Sequence, residues 1–148
     1  MPEFIPGLEL SRLYYWEVVR PLLDQHYPGL HHAAALIGPG SEVLGFDTEM
    51  SMDHHWFPRV QIFIRDGDKD LSAQIHEMLR WKLPASFKGF PLNLEEIHDE
   101  PGIFLMKRKD APPINHKNDL LTVQEFNSRH LSWDEDSSFT AAGWLAIP

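Results

Sequence analysis

Residues 33–41 read Ala33-Ala34-Ala35-Leu36-Ile37-Gly38-Pro39-Gly40-Ser41, and after an interval the chain continues Asp53-His54-His55-Trp56. The apolar run Ala33 to Ile37 has the length of a short buried strand, and Gly38 to Ser41 ends it with turn-forming residues. Ser41 to Gly45 then reads as the first turn of a helix. A strand that feeds such a turn presents backbone N–H groups without intrachain partners, and these suit the phosphates of a nucleoside triphosphate. Asp53 and His55 stand at alternate positions. If they lie on a strand, where side chains alternate with period two, they face the same side and can share a divalent cation, while His54 faces away.

Working outward, Leu10, Leu13, Tyr14, Val18 and Leu22 recur at helical spacing. This predicts a first helix from about Glu9 to Gln25, stopped at Tyr27-Pro28-Gly29 and kinked by Pro21. Val60 to Arg65 reads as a strand. Beyond the turn Asp66-Gly67-Asp68, residues Leu71, Ile75, Met78, Leu79 and Lys82 mark a second amphipathic helix that Pro84 ends. Phe87 to Pro101 is rich in turn formers and is expected to be an irregular, substrate-side loop. Ile103 to Lys107 then forms a strand, Ala111-Pro112-Pro113 a break, and Asp119 to Thr122 a strand leading into a helix over Val123 to His130. Asp134-Glu135-Asp136 reads as a solvated turn, and Thr140 as the cap of a final helix.

Composition narrows the function classes. The chain has 148 residues, 43% of them hydrophobic and 24% charged. One globular domain spanning 1–148 is expected. There is no cysteine, which excludes disulfides, thiolate metal sites and a cysteine nucleophile, and fits a cytoplasmic address. No apolar run approaches a membrane span and the N-terminus lacks signal-peptide character. A net charge of −9, with Lys107-Arg108-Lys109 as the sole basic cluster, argues against an extended nucleic-acid surface. That triplet reads as a solvated strand end.

The order Gly40-Ser41, then Asp53-x-His55, resembles the DNA polymerase beta-like nucleotidyltransferase superfamily, whose motif is an apolar-Gly-[Gly/Ser] turn followed by Asp-x-[Asp/Glu]. More narrowly, the stretches Gly38-Pro39-Gly40-Ser41-Glu42-Val43-Leu44-Gly45 and Asp53-His54-His55-Trp56-Phe57-Pro58-Arg59 are similar to an uncharacterised branch of that superfamily. Its members read Gly-Ser-Gly-Ser-Glu-Val-Leu-Gly and Asp-His-Asp-Trp-Gly-Pro-Arg. The likeness extends through Phe4 to Ser11, Phe87 to Pro91, Asn115-His116-Lys117 and Ala142 to Leu145. Here Pro39 replaces a Ser and removes a hydroxyl and a backbone donor, His55 replaces the second acid, and Phe57 replaces a Gly.

The resemblance implies an α/β fold of the minimal nucleotidyltransferase type, with a mixed sheet flanked by helices. It also implies transfer of a nucleotidyl group from a nucleoside triphosphate to an acceptor, with a divalent metal held by Asp53, His55 and Asp119. Gly38, Gly40 and Ser41 would hold the phosphates. An imidazole among the ligands moves the metal preference from magnesium towards manganese or zinc. Asp47 is expected to hold its loop through side-chain to backbone bonds. Similar proteins continue into a helical region that this chain is expected to lack, as a fragment or as a stand-alone core domain, and Trp133, Phe139, Trp144, Leu145 and Ile147 crowd its last sixteen residues. A homodimer or a helical partner is therefore expected.

Three alternatives stand beside transfer. A catalytically impaired descendant would act as a nucleotide-binding or protein-interaction module. The string Asp53-His54-His55 is shared with the DHH phosphoesterases, whose aspartate-rich motif precedes the triplet, whereas Asp66-Gly67-Asp68 follows it here. A Ser-His-Asp hydrolase would need the Gly-x-Ser-x-Gly elbow, which Gly38 to Glu42 does not supply.

Overall fold

The computed structural model describes residues 2–38, 40–53 and 56–131. Pro39, His54, His55 and the C-terminal residues 132–148 lie outside them, and with them the expectations for the acidic turn, the final helix and the terminal aromatic cluster. The protein is mixed α/β. Helix α1 (Gly7–Tyr14) passes through a π-helical turn (Tyr15–Val19) into α2 (Arg20–His26). Within that turn the Arg20 N–H reaches the Tyr15 carbonyl, five residues back. The wider turn accommodates Pro21, which lacks an N–H for the regular ladder.

Among the described residues the central sheet has three strands, in the order β1 (His32–Ala35), β2 (Gln61–Ile64) and β7 (Asp119–Leu121). β1 runs antiparallel to β2, and β7 runs parallel to it. Ile62 and Ile64 alternate with half-buried Gln61 and Phe63. The buried pair meets Leu10, Tyr14, Ile75 and Leu79 in one core. The last two come from α3 (Ser72–Lys82), which follows a 3₁₀ turn (Asp66–Leu71).

Helix α4 (Val123–Leu131) begins with a reciprocal capping box. The Thr122 N–H donates to Glu125 Oε2 at 2.8 Å, and the Glu125 N–H returns to Thr122 Oγ1 at 3.2 Å. This satisfies two otherwise orphaned donors. The same bond from Thr122 holds the Glu125 carboxyl below the usual range.

The segment 87–101 is not the irregular loop its composition predicts. β3 (Ser86–Phe87) and β4 (Phe90–Pro91) form one hairpin, and β5 (Leu94–Ile97) pairs with β6 (Glu100–Met106) in another. Lys88 and Gly89 connect the first at φ 47° and 86°. Two positive φ values in a two-residue connection match the twist of the flanking strands.

Candidate functional site

Gln61 sits opposite Ala35 on one side and Asp119 on the other. The chain therefore leaves β1 at the same end of the sheet where β2 and β7 begin. The Gln61 side chain prolongs the ladder there, accepting from the Ile37 N–H and donating to the Ile37 carbonyl, each at 2.7 Å. Just beyond, Gly38 and Gly40 adopt φ of 132° and 137°, conformations that L side chains rarely take.

The expected helical turn after Gly40 is an isolated turn and no helix follows it. Phe46 N–H donates to the Ser41 carbonyl at 2.9 Å, and Gly45 N–H to the Glu42 carbonyl at 3.3 Å. Gly45 at φ 74° turns the chain out of helical geometry. Ser41 is exposed while Glu42 is buried. A Cβ on Gly40 would lie 2.7 Å from both Glu42 carboxylate oxygens. The backbone there thus approaches the chain's own anion, and Arg59 Nη2 meets Glu42 Oε1 at 2.5 Å.

The Asp47 side chain does not hold its own loop as expected, but reaches across to two other segments. Its Oδ2 accepts the Gly7 N–H at 2.6 Å and Trp56 Nε1–H at 2.8 Å, tying the start of α1 to a core tryptophan. Gly7 has to be glycine, because a Cβ would meet Glu42 Cβ and Trp56 Nε1 at 2.7 Å. Phe57 is buried and its ring lies beneath the Arg59 guanidinium at 5.0 Å. Between this layer and α1 opens a cleft of about 820 Å³. Leu8, Trp16, Ala35 and Leu36 form apolar wall, and Asp47 and Glu42 reach its lining.

Asp53 is not on a strand, as alternation with His55 would require. It ends a 3₁₀ turn (Glu49–Asp53), which Thr48 and Ser51 lock by reciprocal bonds: Thr48 N–H to Ser51 Oγ at 2.9 Å and Ser51 N–H to the Thr48 carbonyl at 2.8 Å. Such local bonds compete with strand pairing, and Pro58 delays the ladder until Gln61. His55 lies outside the described residues.

Asp119 opens β7 as expected. Its side chain is half exposed, with Arg129 Nη1 at 3.6 Å. Among the described residues β1 and β7 are the two edges of the sheet, so the Gly38–Ser41 turn and Asp119 start from strands about 10 Å apart. A ligand as long as a triphosphate spans that gap, whereas one ion bound directly to both does not. Among the described residues no group of three His, Asp or Glu side chains is placed to hold a metal.

One buried polar network was not anticipated. Asn118 Oδ1 accepts the Val60 N–H at 3.1 Å, and its Nδ2 donates to the Tyr14 hydroxyl at 2.8 Å. The Asn118 N–H donates to His116 Nδ1 at 3.2 Å, so His116 carries its proton on Nε2, which faces the His76 carbonyl at 3.1 Å. Burial pushes His116 down to about 4 and raises the Tyr14 phenol. The only advance signal was the string Asn115-His116-Lys117-Asn118-Asp119, polar residues set just before a strand.

Among the described residues, no helix is long and apolar enough to cross a membrane. In comparisons with known proteins, no family model, no curated protein and no solved structure matches this chain.

Proposed function

We propose that this chain is a nucleotidyltransferase-like domain that binds a nucleoside triphosphate at the Gly38–Ser41 turn and passes its nucleotidyl group to an acceptor hydroxyl. The observation that carries the reading is topological. β1 delivers the glycine turn and Asp119 opens β7 at the end of a mixed sheet where β2 begins, and the 49–53 turn precedes β2 in the chain. Backbone N–H groups at the turn would position the phosphates. The acceptor oxygen bonds to the α-phosphorus, the bridging P–O bond to the β-phosphate breaks, pyrophosphate leaves, and the acceptor proton passes to a nearby carboxylate or water. Asp53, His55 and Asp119 would hold a divalent metal, whose role is to neutralise the triphosphate charge. That donor set, two carboxylates and an imidazole, suits manganese or zinc better than magnesium.

A second reading is favoured by Glu42. Its carboxylate lies against Gly40 and is paired with Arg59, which sets a negative charge beside the turn that would receive phosphate. On that reading the domain is a nucleotide-binding or protein-interaction module without transfer.

Calorimetry of each nucleoside triphosphate with magnesium, manganese or zinc, paired with an assay for movement of α-phosphate label to small-molecule acceptors, separates the two. Metal-dependent binding with label transfer supports the enzyme. Binding without transfer supports the module, and no binding of any triphosphate removes both nucleotide readings.

A further inference from the structure

The cleft beside the glycine turn has a chemistry of its own. Its volume of about 820 Å³ lies within the range of small-molecule sites. One wall is apolar, formed by Leu8, Trp16, Ala35 and Leu36. Leu8 and Trp16 are large hydrophobic side chains left about half exposed at 47% and 49%.

The charged lining is unequal. Glu9 and Arg12 pair at 2.6 Å, and Glu42 and Arg59 pair at 2.5 Å. Asp47 is the remaining carboxylate of the lining. Both bonds found for it, from the Gly7 N–H and Trp56 Nε1–H, fall on Oδ2. The lining therefore holds one negative charge more than its arginines match, on a part-buried carboxylate beside an apolar wall.

We propose that this cleft binds a small molecule with an aromatic or branched apolar body and a primary ammonium group, the body against Leu8 and Trp16 and the ammonium on Asp47 Oδ1. An ammonium supplies the donors and the charge that Asp47 is left to satisfy. A carboxylate head group would meet Asp47 and Glu42 as like charges. Under the transfer reading, the molecule is the acceptor and carries the nucleophilic hydroxyl as well. That assignment rests on the proposed function, whereas the binding itself does not.

The test is a titration of the ¹⁵N-labelled chain with three probes that share a body, 2-phenylethylamine, 2-phenylethanol and 3-phenylpropionate, followed by amide chemical shifts. The amine should saturate with shifts at Leu8, Ala35 and Gly45, at least about tenfold tighter than the alcohol, with the carboxylate weakest. Asp47→Asn should abolish the preference for the amine. Because Asp47 also anchors α1, Trp16→Ala is run in parallel and should weaken all three probes while far-ultraviolet circular dichroism stays unchanged. Equal binding of the three probes, shifts located elsewhere, or no saturation would overturn the proposal. A parallel titration with manganese and ATP keeps the two ideas apart: ATP binding without amine binding removes only the cleft proposal, and amine binding without ATP binding removes only the nucleotide reading.

Discussion

Asn118 joins three parts of the molecule through one side chain and its own backbone, reaching Tyr14 in α1, the Val60 N–H before β2 and His116. Replacing it by alanine leaves the Val60 N–H and the Tyr14 hydroxyl buried without that partner, which should cost about 3 kcal/mol. Urea denaturation of Asn118→Ala measures this, and a loss below about 0.5 kcal/mol would mean the network is dispensable. Nothing local betrays these bonds, since the partners lie 58 and 104 positions away in sequence. Glu42 and Arg59 were equally hard to assign. Both stand within the stretches that prompted the nucleotidyltransferase comparison, yet only the fold shows their ion pair across 17 positions. His55 invites a different substitution. His55→Asp restores the acid pair expected beside Asp53, so magnesium affinity measured by calorimetry should rise by about tenfold or more. An unchanged affinity would mean that the metal does not use position 55.

At the level of elements, the helices were readable because apolar residues at helical spacing mark a buried stripe. The expected span Glu9 to Gln25 corresponds to Gly7–Tyr14, the π turn and Arg20–His26, and α3 and α4 fall where the helices after Leu71 and from Val123 were expected. The strand expected over Ile103 to Lys107 is the second half of β6, but β5 and the first hairpin were not readable. Strands of two residues carry no measurable alternation, and Lys88-Gly89 lacks the Asn-Gly or Asp-Gly signature of such turns. Gly89 shows what the turn requires: φ is 86°, and a Cβ there would lie 2.8 Å from Pro2 Cβ. Gly89→Ala should therefore destabilise the protein by about 1–2 kcal/mol, read as a lower denaturation midpoint with an unchanged slope. A neutral result would show that the N-terminal segment does not pack on this turn. Asp53 illustrates the opposite error, where period-two spacing suggested a strand but Thr48 and Ser51 built a tight turn.

At the scale of the whole molecule, stability should depend on pH through His116. Its folded value of about 4 lies below the unfolded 6.5, so the unfolded chain binds more protons between those values. The contribution is complete above about pH 6.5 and is lost as pH falls towards 4, by at most about 3 kcal/mol. His116→Gln should flatten that slope, and an equal slope in the variant would assign the effect to other groups. Net charge also bears on the ligand. A chain at −9 repels a free triphosphate, so binding should need a divalent metal to offset that charge. The most direct test of the proposed site is paramagnetic broadening by manganese in ¹⁵N spectra, compared with and without ATP. ATP should concentrate the broadening on Gly40, Ser41 and Asp119, at the ends of β1 and β7 that lie together. Broadening that ignores ATP, or that falls away from these residues, would contradict the proposed site.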